Sequence, residues 1–538
     1  MKQLSYMHGT CDTPLKGETI GENLRQIVAR YGDREALVVV EQGYRATYRQ
    51  FWDQTTELAK GLMGYGIRRG DRVGIWAANR AEWVLVQYAT ARIGAIMVNI
   101  NPGYKTTGLR YAMEQSQIDL LIAASHFRQT DYIELLNRVR PFCNYPNRTL
   151  IIEDDWARMI RAGVKISDAE LAEREQSLQF DDAVNIQYTS GTTGYPKGAT
   201  LSHHNILNNG FFIGERMYYS EHDRVCIPVP FYHCFGMVLG NMACTSHGAC
   251  MVIVGESFDP EAVMKTVMDE RCTSLLGVPT MFIAQLEHPN FDRYDFSNLR
   301  TGIMAGSPCP IDTMRQVQTK MNMSQITVCY GMTETSPVST QSLADDDIER
   351  RVSTVGKVHP HVEIKIVDEA GNVVPRGTAG EFCTRGYSVM IGYWNNPEDT
   401  AAIIDKQRWL HSGDVATMDD EGYVKITGRI KDVIIRGGEN ISPREIEEFL
   451  ISHEAVADVY IIGVPSAKYG EEVMAWVKVR EGFEVTEEQL LKYCTNQIAT
   501  YKIPKYWKFV DDFPMTISGK IRKVEMREIS AKELGLEG

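Results

Sequence analysis

The sequence predicts an α/β protein whose large N-terminal domain consists of layered, mostly parallel sheets with helices, plus a small β-rich subdomain. Three observations support this prediction. The chain has 538 residues, which is too long for a single hydrophobic core. Up to about residue 330, extended apolar runs alternate with amphipathic helical stretches, a pattern typical of parallel sheets covered by helices. From residue 361 onward, short extended runs separated by turn residues indicate hairpins.

The individual elements follow from the local pattern along the chain. Apolar and β-branched runs predict strands at Ala36–Glu41, Arg72–Trp76, Ala95–Asn99, Leu120–Ala123, Val184–Tyr188, Leu299–Ala305 and Gln325–Cys329. Amphipathic stretches predict helices, of which Arg49–Gly64 and Pro260–Glu270 are examples. Turn residues at 368–372 and 419–422 predict hairpin turns in the β-rich subdomain.

A small, mobile α+β domain is expected at the C-terminal end. We expect its boundary close to Lys431, which gives domains over residues 1–430 and 431–538. Its predicted elements are a helix at Ser442–Ser452, strands near Val459–Ile462 and Val473–Val479, and a helix at Thr486–Ile498. The segment Ser442-Pro443-Arg444-Glu445 predicts a capping box with proline at the first helical position.

Charge and composition exclude several classes of function. A net charge of −13 disfavours binding to the phosphates of nucleic acids, and no basic stripe offsets it. No apolar run is long enough to cross a bilayer, and the first residues lack the hydrophobic segment of a signal peptide. Eleven cysteines without a C-x-x-C pair predict reduced, mostly buried thiols. We therefore expect a cytoplasmic protein.

The segment from Tyr188 to Gly198 is the most informative one. It is rich in hydroxyl residues and glycines and carries a lysine, a combination of backbone N–H groups, hydroxyls and charge suited to a polyphosphate. It is not the P-loop pattern, because Pro196 precedes Lys197 and Gly198 follows it. A surface linker is the alternative interpretation. The binding residues expected here are Thr189, Ser190, Gly191, Thr192, Thr193, Gly194 and Lys197.

A second motif, Tyr330-Gly331-Met332-Thr333-Glu334, follows a predicted strand. The carboxyl end of a strand is where open α/β sheets usually bind ligands. The aromatic ring of Tyr330 can stack on a base, the Thr333 hydroxyl can donate to a phosphate oxygen, and the Glu334 carboxylate can bind Mg2+. An ordinary strand-to-loop turn is the alternative.

Further polar positions gain weight only as members of a set. Asp414 follows a small-residue turn and is suited to two ribose hydroxyls, and Arg429 supplies a guanidinium for the same sugar or the α-phosphate. The glycine pair at 437–438 lets a narrow ligand pass close to the backbone. Lys520 follows a glycine on a predicted loop, and His233 lies among aromatic residues. Taken singly, these are equally compatible with hairpin residues, a simple turn, a surface lysine and a core histidine.

Together and in this order, these segments resemble the adenylate-forming superfamily of acyl-CoA synthetases, luciferases and peptide-synthetase adenylation domains, over nearly the whole chain. Segments such as Asn79–Trp83 and Ala89–Ala95 are similar to medium-chain-type fatty acyl-CoA ligases. The resemblance implies an ATP-dependent ligase that converts a fatty acid to acyl-CoA through an acyl-adenylate, releasing AMP and pyrophosphate. The alternatives are an aryl or aryl-propenoic acid–CoA ligase, a luciferase-like enzyme, and a non-catalytic nucleotide-binding protein of the same fold.

The resemblance also assigns ATP contacts. It places the 188–198 segment on the β- and γ-phosphates and Thr333 on the α-phosphate. It implies that Glu334 binds Mg2+ and that Asp414 and Arg429 hold the ribose. Tyr330 would stack on adenine beside Gly306, Ser307 and Pro308, and Gly331 is a further ATP/AMP-binding residue.

The remaining roles also come from the resemblance. Lys520 would bridge the substrate carboxylate and the α-phosphate, which makes it catalytic together with Glu334, Thr333 and His233. Lys431 matches the hinge position between the domains. The CoA tunnel would be lined by Gly437, Gly438 and Glu439. The acyl pocket would have His233 at its mouth and Phe235, Met237, Gly277 and Met304 among its walls.

The expected partners are the fatty acid, ATP and CoA, with Mg2+ as cofactor, and neither a nucleic acid nor a transmembrane segment is expected. Proline upstream of the Gly519-Lys520 pair resembles the pattern at which bacterial acyl-CoA synthetases are acetylated. A lysine acetyltransferase and deacetylase acting on Lys520 are therefore candidate partners, because acetylation would remove its charge. A second copy of the chain is a further candidate partner.

Overall fold

The computed structural model describes residues 3–189, 196–307, 309–437, 439–495, 497–515 and 521–536. The chain forms two compact units. The larger unit contains Met7–Ile364 and Thr384–Leu410, and the smaller contains Met1–Tyr6, Lys365–Cys383 and His411–Gly538.

A seven-stranded sheet forms one layer of the larger unit. Its order is Gly392–Tyr393, Lys197–Ser202, Ala183–Thr189, Ile96–Asn99, Arg72–Trp76, Leu120–Ala123 and Arg148–Ile151. The five strands from Ala183–Thr189 to Arg148–Ile151 run parallel, and the other two are antiparallel to their neighbours. The predicted bounds of the strands at 72–76 and 120–123 are confirmed.

A second seven-stranded sheet has the order Gln325–Thr327, Thr301–Met304, Ser274–Gly277, Arg224–Cys226, Cys250–Ile253, Glu35–Val39 and Tyr44–Thr47. All of its neighbours run parallel except the hairpin of the last two strands. Two smaller sheets of the larger unit comprise Cys329–Gly331 with Val338–Gln341 and Lys357–Val358, and His126–Phe127 with Thr130–Asp131.

Helices accompany both large sheets. Their α-helical bounds are Ile20–Tyr31, Tyr48–Gly64, Ala81–Ile93, Thr106–Ser116, Tyr132–Val139, Ile152–Ala162, Asp168–Gln176, His203–Arg216, Ala243–Thr245, Pro260–Asp269, Pro279–Leu286, Ile311–Lys320, Ile348–Ser353 and Pro397–Ile403. Short 3-10 helices lie at Arg140–Phe142, Gly163–Lys165, Phe291–Arg293 and Thr333–Thr335, and a π-helix lies at Phe235–Met242. All residues of Ala81–Ile93 except Glu82 are buried, so this helix belongs to the core of the larger unit.

The smaller unit has its own hydrophobic core. Its main sheet has the order Glu439–Ile441, Ile434–Arg436, Gly470–Val479 and Val456–Ser466, with Tyr506–Phe509 pairing parallel to Gly470–Val479. Its helices are Pro443–Leu450, Glu487–Cys494 and Lys523–Glu533, with 3-10 turns at Ile430–Asp432 and Thr500–Lys502. Most of a five-stranded sheet also belongs to it, in the order Tyr6–His8, Val362–Val367, Gly380–Gly386, Leu410–Met418 and Val424–Arg429. The predicted fold class is confirmed.

The capping box predicted at Ser442 is wrong. Ser442 does precede the helix and Pro443 is its first residue, but the serine side chain makes no cap hydrogen bond. Its hydroxyl donates instead to the carbonyl oxygen of Thr427 over 2.7 Å, and Glu445 pairs with Lys502 at 2.6 Å. These tertiary contacts use both side chains that a capping box needs.

Seven of the eleven cysteines are buried, as predicted, and none of the eleven forms a disulfide bond. Among the described residues, no helix combines the length and apolar character needed to span a bilayer.

Candidate functional site

The glycine- and hydroxyl-rich segment lies between two antiparallel strands of the first sheet. Thr189 pairs with Lys197 and Tyr188 pairs with Gly198. A Cβ on Gly198 would lie 2.9 Å from the Ile186 side chain, so the strands approach too closely for a larger residue. Ser190, Gly191, Thr192, Thr193 and Gly194 lie outside the described residues.

Lys197 begins the returning strand and places a positive charge beside an aromatic ring. Its Nζ lies 2.9 Å from Asp399 Oδ2 and 5.3 Å from the centroid of the Tyr393 ring. Because both charged side chains are partly exposed, the ion pair contributes roughly 0–1 kcal/mol to stability. The ion pair therefore matters here for its location, since it places Asp399 and the Tyr393 ring on the same ammonium group.

Glu334 is a buried carboxylate held by the same tyrosine. It lies in the 3-10 helix Thr333–Thr335 and is only 5% exposed. The Tyr393 hydroxyl donates to Glu334 Oε1 over 2.7 Å. Burial and the adjacent carboxylate raise the pKa of Tyr393 above its usual value, so the phenol keeps its proton. An ammonium, a phenol and a carboxylate thus form one cluster able to serve both an anion and a cation.

Tyr330 follows the predicted strand Gln325–Cys329 and lies in the short strand Cys329–Gly331, which pairs with Val338–Gln341, rather than in the turn that was the alternative interpretation. The turn that follows is tightly packed. A Cβ on Gly331 would lie 1.7 Å from the Pro337 carbonyl oxygen. The Thr335 hydroxyl donates to the same oxygen over 2.7 Å. This packing sets the path of the backbone through Thr333, which is half-buried.

Three predicted residues lie together at one edge of the second sheet. Gly277 and Met304 end neighbouring parallel strands and are paired in register. Gly306 follows two residues later, with a φ of 95° that favours glycine. Gly306 and Ser307 are exposed, whereas Met304 is fully buried. Pro308 lies outside the described residues.

The segment around His233 leads into the π-helix Phe235–Met242. The half-buried imidazole lies 4.3 Å from the Tyr232 ring, measured between centroids. Phe235 is half-buried and Met237 is fully buried. Amide nitrogens of Asn99 and Gln187 approach the Met237 sulfur at 3.5 and 3.6 Å. π-Helical turns are frequent at functional sites.

In the smaller unit, Asp414 and Arg429 are cross-strand partners. The sequence placed Asp414 after a turn, but it lies within the continuous strand Leu410–Met418. The strand continues through Gly413, because glycine can adopt the positive φ of 71° found at that position. Arg429 Nε donates to Asp414 Oδ1 over 3.0 Å, and Asp414 is 8% exposed.

Glu381, Cys383 and His411 form a group that could offer metal ligands, with ligand atoms all within 4.8 Å of one another. Sequence reasoning missed this group. His411 Nδ1 lies 2.7 Å from one Glu381 oxygen and 3.4 Å from the Cys383 sulfur. The Gly413 N–H donates to the other Glu381 oxygen over 3.0 Å. Hydrogen bonds therefore account for the arrangement.

Two further predicted positions of the smaller unit, Lys431 and Gly437, lie in turns. Lys431 is exposed in the 3-10 turn Ile430–Asp432, where Asp432 pairs with Arg527 at 2.7 Å. Gly437 has a φ of 62°, and its N–H donates to the Tyr469 carbonyl oxygen over 2.8 Å. Glu439 begins the next strand. Gly438 and Lys520 lie outside the described residues.

Two residues that contact Lys197 were not predicted from the sequence. They are Tyr393 and Asp399. Tyr393 reaches the cluster because its strand pairs with Ala199 and Thr200. Long-range strand pairing leaves no pattern in the local sequence. The available signal for these two residues was their position on either side of the Asn395-Asn396-Pro397 turn.

Comparison with known proteins identifies two matching family models. The model described as AMP-binding enzyme matches residues 24–394. The model described as AMP-binding enzyme C-terminal domain matches residues 445–520. Together they cover most of both units.

Individual relatives match over nearly the full length. The chain is 50% identical to YngI of Bacillus subtilis (strain 168), over 95% of this chain and 96% of that one. YngI is named as a candidate acyl-CoA synthetase. It is 41% identical to the mitochondrial medium-chain acyl-CoA ligase ACSF2 of Danio rerio, over 99% and 91% of the two chains. The solved structure of the anthranilate CoA ligase AuaEII with anthranoyl-AMP superposes with a TM-score of 0.86 at 24% identity, covering 97% and 99%. At that identity the likeness shows the fold alone.

Proposed function

The chain belongs to the AMP-binding enzyme family, and on that premise we propose that it is an ATP-dependent acyl-CoA ligase acting on a medium-chain fatty acid. The acid is joined to CoA through an acyl-adenylate, with release of AMP and pyrophosphate. The main structural support for this proposal is the cluster in the larger unit, where Lys197 and Glu334 both interact with Tyr393.

Glu334 fits a Mg2+ ligand. Its carboxylate supplies hard oxygen atoms, and the hydrogen bond from Tyr393 reaches Oε1, so we assign Oε2 to the ion. Mg2+ commonly takes one or two protein carboxylates and completes its shell with water and substrate phosphates. Bound there, Mg2+ would offset phosphate charge as a Lewis acid.

The other ATP contacts follow the sequence assignments. Lys197 and the segment that begins at Thr189 hold the β- and γ-phosphates, while Thr333 donates to the α-phosphate. Tyr330 stacks on adenine, next to the exposed Gly306 and Ser307. The Asp414 carboxylate accepts hydrogen bonds from the ribose hydroxyls, with Arg429 beside it.

In the first half-reaction, a carboxylate oxygen attacks the α-phosphorus and the bond to the pyrophosphate oxygen breaks. The difficulty is electrostatic, because an anion approaches a polyanion and charge builds on the α-phosphoryl oxygens. We assign Lys520 to this charge. By analogy with a single oxyanion donor, such a contact supplies about 3 kcal/mol to the transition state.

In the second half-reaction, the CoA sulfur attacks the acyl carbonyl and AMP leaves. The thiol needs the approach that Lys520 occupies in the first step, so one arrangement cannot serve both reactions. We assign Lys431 as the pivot of a hinge motion, and Gly437, Gly438 and Glu439 to the pantetheine path. His233 gates the thiol by moving aside.

The acyl chain is assigned to the pocket beyond His233, with walls that include Phe235, Met237, Gly277 and Met304. Medium chain length is supported by the similarity to ACSF2.

A cytoplasmic location, a homodimer and reversible acetylation of Lys520 complete the proposal, with no role for nucleic acid. None of the eleven cysteines forms a disulfide bond, which agrees with a reducing compartment.

Pyrophosphate release with a panel of carboxylic acids tests this function. The panel contains saturated fatty acids of increasing length, an aryl acid and an aryl-propenoic acid, each with MgATP and CoA. The proposal predicts the highest kcat/KM with a medium-chain fatty acid and stoichiometric AMP. A preference for an aryl acid would replace the proposed fatty acid substrate. If no acid in the panel supports pyrophosphate release, the enzymatic function is contradicted.

A further inference from the structure

Tyr393 connects the two segments proposed to bind the phosphates and the metal ion. Its hydroxyl donates to Glu334 Oε1 over 2.7 Å, and its ring centroid lies 5.3 Å from Lys197 Nζ. Asp399 holds the same ammonium at 2.9 Å. One aromatic side chain therefore contacts the carboxylate through its hydroxyl and lies beside the lysine with its ring.

The backbone around Tyr393 fixes the position of the ring. Tyr393 lies opposite Ala199 in an antiparallel strand pair, and its N–H donates to Thr400 Oγ1 over 2.9 Å. The Trp394 N–H donates to the Gly198 carbonyl oxygen over 2.7 Å. Both strands that flank the phosphate segment thus belong to the same sheet as the tyrosine, which places the ring beside Lys197.

The carboxylate is also fixed from its own backbone. The Met390 N–H donates to the Glu334 carbonyl oxygen over 2.9 Å, which ties the 3-10 turn to the segment that leads into Tyr393. Glu334 is buried, so its carboxylate has few solvent partners that could replace the phenol. Loss of the hydroxyl would leave Oε1 without this donor and the carboxylate plane free to rotate.

We propose that Tyr393 is a positioning residue that holds one oxygen of Glu334 and so presents the other to the Mg2+ of bound MgATP. This inference rests on the proposed function and deepens it. Partners of metal-binding carboxylates orient the ligand, and their loss typically lowers metal affinity about 10- to 100-fold. The tyrosine acts through Glu334 and contacts no reacting atom.

Tyr393→Phe tests the proposal, because it removes the hydroxyl and keeps the ring beside Lys197. Mn2+ binding is measured by electron paramagnetic resonance with a non-hydrolysable ATP analogue, for Tyr393→Phe, Glu334→Gln and the double variant. Tyr44→Phe is the matched control, since it removes a phenol hydrogen bond to Gln54 elsewhere in the larger unit.

We expect Tyr393→Phe to weaken Mn2+ binding about 10- to 100-fold, with Tyr44→Phe unchanged. The double variant should bind Mn2+ no more weakly than Glu334→Gln alone, because the tyrosine acts through that carboxylate. Affinity for the ATP analogue without metal should stay the same in Tyr393→Phe. A merely structural role would instead lower metal-free affinity and thermal stability together.

Unchanged Mn2+ binding in Tyr393→Phe, or additive losses in the double variant, would overturn the positioning role. Unchanged binding in Glu334→Gln would overturn it as well, since the carboxylate would then not be the ligand. These binding measurements need no turnover. They are therefore separate from failure of the proposed function, in which no acid of the panel would support pyrophosphate release.

Discussion

Glu334 in the larger unit and Asp414 in the smaller unit are both nearly buried carboxylates, yet their partners differ. Glu334 accepts a hydrogen bond from a neutral phenol, whereas Asp414 accepts from the guanidinium of Arg429, a side chain that is 58% exposed. A neutral donor leaves the carboxylate its full charge, and a cation neutralises part of it. The first arrangement is compatible with the metal ion proposed at Glu334, and the second is compatible with the sugar hydroxyls proposed at Asp414.

The largest expected effect concerns Lys520 of the smaller unit. We predict that Lys520→Ala slows acyl-adenylate formation at least about 100-fold, because the charge on the α-phosphoryl oxygens loses its counter-ion. Thioester formation from supplied acyl-adenylate should remain largely intact. Both half-reactions are measured by quench-flow, with Lys532→Ala as an exposed lysine control in the same unit. Equal loss of both half-reactions would contradict a specific role of Lys520 in acyl-adenylate formation.

A smaller effect is expected from the tight turn of the larger unit. Gly331→Ala should lower the free energy of unfolding by about 1–3 kcal/mol, since its Cβ would collide with the Pro337 carbonyl oxygen. Weaker ATP binding should accompany the loss, because Tyr330 and Thr333 flank the turn. Denaturant unfolding and nucleotide titration are the measurements. Gly17→Ala is the control, because nothing lies within 4 Å of its added Cβ, and equal stability of the two variants would contradict the prediction.

The smallest effect separates the two carboxylates directly. Asp414→Asn should raise KM for ATP about 10-fold, a loss of roughly 1.4 kcal/mol, through its weaker acceptance of ribose hydroxyls. The Mg2+ concentration for half-maximal rate should not change, whereas Glu334→Gln should raise it. Stability should fall by less than about 1 kcal/mol, because Arg429 is largely exposed. A shift in Mg2+ requirement in Asp414→Asn would remove the contrast between the two sites.

The fold could be predicted where burial dominates the local pattern. The strands Arg72–Trp76 and Leu120–Ala123 have the predicted bounds because buried parallel strands are continuous apolar runs between polar ends. Where side chains have alternative partners, the pattern failed. Ser442 donates to Thr427 instead of capping its helix, while Thr486 and Gln489 form a capping box in the same unit.

The candidate site was predictable only in part for a related reason. Spacing identified Glu334 and Lys197 as separate motif residues, and the structure joins them through Tyr393. That connection depends on Gly392–Tyr393 pairing with Ala199 and Thr200, about 190 residues away in sequence. Long-range pairing of this kind is invisible to a reading of local periodicity.

A single-turnover experiment without CoA examines the two-step chemistry itself. Enzyme in excess is mixed with a medium-chain fatty acid and MgATP labelled at the α-phosphate. One portion is quenched directly, and a second portion is chased with CoA before it is quenched. We predict that a labelled acyl-adenylate accumulates with one equivalent of pyrophosphate, and that the chase converts it to acyl-CoA and labelled AMP. Formation of ADP, or acyl-CoA appearing without a preceding adenylate, would contradict the proposed function.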